Sequence, residues 1–172
     1  MAPSSTPYAA SRRDVLAARD ARQLELDRRR GHTLVAASLA IPGAEKVPAG
    51  AAQLFTWASR RVMASLPGAR SLHAATDALG PFELWAAPGT ALDAKRRCVE
   101  IEASRPGARL IDLDVYDPDG ACLDRATLHL PPRRCLCCPR PAHECVRLGR
   151  HELGELAARA RGLLADLDDL AG

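Results

Sequence analysis

Two carboxylates stand two residues apart in Arg109-Leu110-Ile111-Asp112-Leu113-Asp114-Val115-Tyr116. Alternate side chains of a β-strand share a face. Ile111, Leu113 and Val115 therefore point to a core, and Asp112 and Asp114 point together the other way. At ~3.3 Å per residue their Cα atoms lie about 6–7 Å apart. Convergent carboxylates suit Mg2+, a hard ion that takes one or two of them together with substrate phosphates. An apolar-Asp-apolar-Asp-apolar strand recurs in metal-dependent nucleotidyl transfer, where the ion neutralises charge developing on phosphate oxygens. The same alternation also describes an amphipathic strand with a solvated acidic face.

Other segments offer complementary chemistry. Ile41-Pro42-Gly43-Ala44-Glu45-Lys46 is a turn after an apolar run. Backbone N–H groups around Gly43 can meet a phosphate, and Lys46 adds a point charge. Gly80-Pro81-Phe82-Glu83 is a second turn with a carboxylate, and Glu83 is a candidate third metal ligand or a solvated edge residue. Lys95 and Glu100 precede the aspartate strand. The chain has 24 basic residues, of which Lys46 and Lys95 are the only lysines. Cys135, Cys138, Cys145 and His151 have ligand types that close a tetrahedral zinc site, with Cys137 surplus and His143 a rival ligand. Buried free thiols are the alternative. His73 and His129 have no visible partner and read as structural.

The elements that must position these groups follow from periodicity and breakers. Ser11 with Asp14 caps a helix that runs to about Arg30 and ends at Gly31. Residues 33–41 form a buried strand, stopped by Pro42-Gly43. Residues 51–66 carry Leu54, Trp57, Ala58, Val62 and Leu66 at helical spacing. Strands are expected at 71–76 and 82–86, a helix at 91–103 and a strand at 109–116. Asp117-Pro118-Asp119-Gly120 then turns the chain into a hairpin partner over 121–130. A Pro/Cys-rich stretch spans 131–151, and a helix with a leucine stripe spans 152–170. The middle reads β-α-β-β-α-β, the split βαβ of ferredoxin-like α+β folds, with two helices on one face of an antiparallel sheet. The N-terminal helix, Cys-rich segment and C-terminal helix are added to that two-layer core. Residues 1–10 are expected to be disordered and 11–172 to form one domain.

Composition excludes several classes. The chain has 172 residues, 47% of them hydrophobic, and a formal net charge of +3. Alanine supplies 33 positions, yet enough large apolar residues remain for a core. The charge is too mild for a general nucleic-acid binder, and only six residues are aromatic. A weak positive balance fits a small anionic ligand or an acidic protein. No apolar run is long enough to span a membrane, and the first 20 residues hold no secretory segment. A reduced, cytoplasmic chain is the expectation.

In order and spacing these motifs resemble the apo-citrate lyase phosphoribosyl-dephospho-CoA transferase family, also called citrate lyase holo-acyl-carrier-protein synthase. The matching stretches are Arg19-Asp20-Ala21-Arg22-Gln23, Ile41-Pro42-Gly43 with Lys46, Gly80-Pro81 with Glu83, and Lys95 with Glu100-Ile101-Glu102. They continue through Arg109-Leu110-Ile111-Asp112-Leu113-Asp114-Val115 and Leu130-Pro131-Pro132-Arg133-Arg134-Cys135-Leu136-Cys137-Cys138, then Cys145, Arg147 and His151. The chain departs from the family's pattern at Ala108, where glycine is usual, and at Phe82, which intervenes between Pro81 and Glu83.

The resemblance implies transfer of a CoA-like group from 2′-(5″-triphosphoribosyl)-3′-dephospho-CoA to a serine of the citrate lyase acyl carrier protein (gamma chain), with release of diphosphate. On that reading Asp112 and Asp114 hold Mg2+. Lys46, Arg109 and Lys95 meet phosphate charge, and Glu83 or an aspartate accepts the serine proton. Two other classes remain open on the residues alone. One is a different Mg2+-dependent nucleotidyl or phosphoryl transferase acting on a carrier protein. The other is a non-catalytic, zinc-bearing interaction module.

Overall fold

The computed structural model describes residues 11–166. The N-terminal segment 1–10 and the end of the C-terminal leucine stripe, with Leu167 and Leu170, lie outside the described residues. Helix α1 (Arg12–Asp27) opens on a capping box. The Ser11 hydroxyl accepts from the Asp14 amide, and the Asp14 carboxylate accepts from the Ser11 amide. Strand β1 (Thr33–Leu39) follows, then helix α2 (Ala51–Ser65) and strands β2 (Arg70–Asp77) and β3 (Gly80–Ala87). Helix α3 (Ala91–Ala103) is capped by Thr90, whose hydroxyl accepts from the Asp93 amide. A 3-10 turn (Gly107–Leu110) leads into strand β4 (Ile111–Tyr116), and the two-residue strand β5 (Cys122–Leu123) comes after it. A second 3-10 turn (Ala126–Leu128), a short helix α4 (Ala142–Arg147) and helix α5 (Leu153–Ala165) complete the order.

The sheet order is β2-β3-β1-β4-β5, and every neighbouring pair is antiparallel. Each helix α2 and α3 therefore returns the chain across one intervening strand, which is the split βαβ arrangement that the element order implies. Side chains on one face of β1, β3 and β4 (Val35, Ala37, Leu39, Trp85, Ile111, Leu113 and Val115) pack with α2, α3 and α5 residues such as Leu54, Val62, Cys98, Ile101 and Leu163. Burying one such large side chain contributes about 1.5–3 kcal/mol.

The opposite face is not bare. Leu26 of α1 packs on Leu34, Ala36, Phe82 and Leu84. Arg22 of α1 stacks its guanidinium 4.7 Å from the Phe82 ring centre, donates twice to Asp77 at 2.7 and 2.8 Å, and donates to the Gly80 carbonyl at 2.9 Å. Helix α1 is thus a cover for the second sheet face.

Three local expectations shift. The aspartate strand begins at Ile111, because residues 107–110 form the 3-10 turn and the Ala40 amide donates to the Leu110 carbonyl at 2.8 Å. The hairpin partner of β4 shrinks to two residues. Asp124 caps the turn after it, accepting from the Thr127 amide and hydroxyl at 2.9 Å each, so the chain curls away from the sheet. The Pro/Cys-rich stretch contains helix α4, which starts after Pro141, where a missing N–H costs nothing.

Candidate functional site

The short β5 leaves the outer edge of β4 with backbone groups to satisfy, and buried charges satisfy them. Glu102 of α3 accepts from the Leu113 amide at 2.9 Å, and the Lys95 ammonium donates to the Leu113 carbonyl at 3.2 Å. Both side chains are buried. Arg133, from the Cys-rich stretch, donates to the Ile111 carbonyl at 2.6 Å, pairs with Glu102 at 2.5 Å and lies 3.7 Å from Asp112. Arg125 approaches Glu102 at 3.7 Å. A missing strand is replaced here by Lys95, Glu102 and Arg133. Glu102 had only been part of the family motif, and sequence periodicity carries no sign of a role at a strand edge eleven residues away.

Asp112 and Asp114 sit on the other face of β4, as the alternation requires. Asp112 stands opposite Ser38 and Asp114 opposite Ala36. Both are partly exposed, on the face where α1 covers Leu34, Ala36 and Phe82. Asp114 accepts no hydrogen bond from any described residue. Its carboxyl is pushed up to about 6, chiefly by burial and then by the Asp112 charge, with Lys95 pulling the other way. A half-buried carboxylate with a like-charged neighbour and free lone pairs fits a divalent cation, which would remove both penalties.

Glu83 is not brought to the aspartates. Cross-strand partners share a face, and Glu83 pairs with Ala37 while Asp114 pairs with Ala36. Glu83 therefore lies on the α2 side of the sheet, where its carboxylate accepts from Ser59 and Ser71 hydroxyls at 2.9 Å each. His73 packs against Phe82 and approaches Glu25 at 3.6 Å, and His129 occupies a left-handed position with φ 56°. Glu100 pairs with Arg97 on an exposed helix face.

The cationic candidates are each tethered to backbone carbonyls. Lys46 donates to the Ile41 carbonyl at 3.0 Å. Partial burial, then the charge of Arg19, lowers its pKa from the usual lysine value. Gly43, at φ +95°, lines a cleft of about 180 Å³ with Ile41, Pro42, Pro48, Ala157 and Arg161. Arg109 donates to the Arg134 and Cys135 carbonyls at 3.3 and 2.8 Å, so it ties the strand's start to the Cys-rich segment. Lys95 is committed to Leu113 and stands beneath the strand rather than on its open face.

The four residues Cys135, Cys138, Cys145 and His151 converge, with all ligand atoms within 4.8 Å of one another. Cys138 Sγ lies 3.4 Å from Cys145 Sγ and 3.4 Å from His151 Nε2. These thiols are free. Burial raises the Cys135 thiol, but the Cys137 and Cys138 amides donate to its sulfur, and the net shift is downward. The second ring nitrogen of His151 meets Glu155 at 3.3 Å, the carboxylate–imidazole contact that orients a ligating histidine. This group can hold a metal ion. Cys137 joins His151 and Glu155 in a second, overlapping cluster; His143 is exposed and outside both.

Comparison with known proteins is consistent along the chain. The model of the family described as apo-citrate lyase phosphoribosyl-dephospho-CoA transferase matches residues 10–167. A protein of that name from Shigella boydii is 33% identical over 168 residues, covering 94% of this chain and 92% of the relative. Proteins of the same name from Escherichia coli O157:H7 and Shigella sonnei match with the same identity and coverage. With the match spanning the aspartate strand, the Lys46 turn and the Cys/His group alike, the chain belongs to the apo-citrate lyase phosphoribosyl-dephospho-CoA transferase family.

Proposed function

We propose that the chain transfers the phosphoribosyl-dephospho-CoA group from 2′-(5″-triphosphoribosyl)-3′-dephospho-CoA to a serine of the citrate lyase acyl carrier protein, the gamma chain, in the cytoplasm. Among the described residues no helix is long and apolar enough to cross a membrane. The observation that carries the site assignment is Asp114, partly buried beside Asp112 and without a hydrogen bond from any described residue.

The acceptor serine oxygen attacks the α-phosphorus of the donor, forming a P–O bond. The bond from that phosphorus to the bridging oxygen breaks, and diphosphate leaves with the electron pair. Asp112 and Asp114 would hold Mg2+, which when bound would neutralise triphosphate charge. The hydroxyl proton goes to an aspartate oxygen on the open face of β4. Glu83 has no part in that transfer, because it lies on the α2 side of the sheet. Lys46 and Arg109 hold phosphate oxygens with the N–H groups their carbonyl partners leave free. The turn at Gly43 offers backbone N–H groups to a phosphate oxygen next to Lys46. Lys95 positions β4 and sets the charge around Asp114.

The nucleophile comes from the acceptor in this scheme. A carrier whose modified serine is alanine is expected to stay unlabelled. Labelling of that carrier, or stable labelling of the transferase itself, contradicts the scheme.

The metal of the Cys/His group is Zn2+ in this reading. Zn–S bonds of about 2.3 Å set sulfur–sulfur spacings of about 3.8 Å in a tetrahedron, close to the observed approach of Cys138 and Cys145. Such a site is closed and structural, joining the turn at Cys135 to the start of α5. Elemental analysis of untagged protein is expected to give one zinc per chain, and Cys138→Ser is expected to lose it. Wild-type protein with well under one zinc per chain would reject the assignment.

A further inference from the structure

Around the C-terminal half of α1 several arginines are paired: Arg22 with Asp77, Arg28 and Arg29 with Glu25, and Arg30 with Asp27. In the segment 131–151 the balance of charge itself is one-sided. That segment carries five arginines against one glutamate, more positive charge than the whole chain carries net. Arg133 is used at the β4 edge. Arg134, Arg140, Arg147 and Arg150 are exposed, and their side chains pair with no carboxylate among the described residues. Among these charges stand two apolar side chains, Val146 at 80% and Leu148 at 48% exposure. A cationic surface with an uncovered apolar centre matches a protein face of opposite charge.

Its position is informative. Arg133 reaches Glu102 and Asp112, and Arg109 holds the Arg134 and Cys135 carbonyls. The surface is therefore anchored directly to the strand that bears the aspartates. Cys145, one residue before Val146, belongs to the Cys/His group and fixes the short helix from beneath.

We propose that α4 and the turn after it form the docking surface for the acceptor protein. They recognise an acidic face of that protein, whose carboxylates pair with Arg134, Arg140, Arg147 and Arg150 around an apolar contact at Val146 and Leu148. This rests on the reading that the acceptor is a protein. Docking there places the acceptor's hydroxyl beside Asp112 and Asp114, while the donor is held independently. Removing charges should therefore weaken acceptor binding without touching the donor.

The test compares metal-loaded wild type with Arg147→Glu/Arg150→Glu and with Val146→Asp, after metal content and melting temperature show each variant intact. Initial rates are measured with the carrier protein varied at saturating donor, and the reverse. The KM for the carrier is expected to rise at least about tenfold, with kcat and donor KM within about twofold. The wild-type carrier KM is expected to climb with added NaCl, and that of the double variant to climb less. An unchanged carrier KM, or a donor KM that rises equally, overturns the docking surface. If wild type labels no carrier at all, the transferase reading itself fails. The docking surface is then judged by calorimetric titration of the same variants with apo-carrier, where equal affinity of wild type and variants overturns it.

Discussion

Replacing Asp112 or Asp114 by asparagine is expected to cut turnover at least ~100-fold, because lost stabilisation of developing phosphate charge is commonly worth about 3–4 kcal/mol. Asp114→Asn carries a second signature. The Asp114 carboxyl titrates near 6 in the folded chain against an ordinary value of 3.8, so folding disfavours its ionised form. That penalty is absent below about pH 4, grows as pH rises and is complete above about 6. The Asp114→Asn variant should therefore be more stable than wild type at pH 7 and not at pH 4, by on the order of 1–3 kcal/mol. Melts at the two pH values in metal-free buffer check this. A residue kept at a cost to stability and lost at a cost to activity is serving the site. Two solvated carboxylates would instead give rates within about tenfold of wild type and no pH-dependent gain.

Alanine in place of Glu102 is expected to destabilise the fold by about 3–5 kcal/mol, the range for breaking a buried charge network. The change strips the Leu113 amide of its acceptor and leaves Arg133 without its closest carboxylate. Glu102→Gln keeps an acceptor for that amide and should lose less. Denaturant unfolding of both variants measures the difference. A loss below about 1 kcal/mol for Glu102→Ala would mean that β4 does not depend on the α3 side chains for its outer edge.

These two sites mark the reach of local sequence patterns and their limit. The carboxylate pair could be read locally, since Asp112 and Asp114 alternate with Ile111, Leu113 and Val115 within one strand. The Ser11–Asp14 cap, the Pro42-Gly43 stop and the helix-strand order were local too, and the order sufficed for the split βαβ topology. Glu83 shows the limit. Its side of the sheet depends on its register with Ala37, a pairing between strands that no local period encodes. Glu102 and Lys95 lie on an ordinary-looking helix, and their burial follows from β5 stopping after two residues. Arg109 reads as a phosphate contact by charge, yet the fold also gives it the Cys135 carbonyl. Helix α4 was hidden because proline and cysteine dominate the sequence around it, and its interior is fixed by Cys145 joining Cys135, Cys138 and His151 rather than by an apolar stripe.

The central claim is a group transfer to a partner protein, and intact mass spectrometry of that partner tests it most directly. Apo-acyl carrier protein is incubated with this chain, the triphosphoribosyl-dephospho-CoA donor and Mg2+, with parallel reactions lacking Mg2+ or containing the Asp112→Asn variant. The carrier is expected to gain the mass of one phosphoribosyl-dephospho-CoA group in the complete reaction, with diphosphate released one for one, and to gain almost none in the other two. A carrier of unchanged mass in the complete reaction, or one modified equally well by the Asp112→Asn variant, would contradict the account.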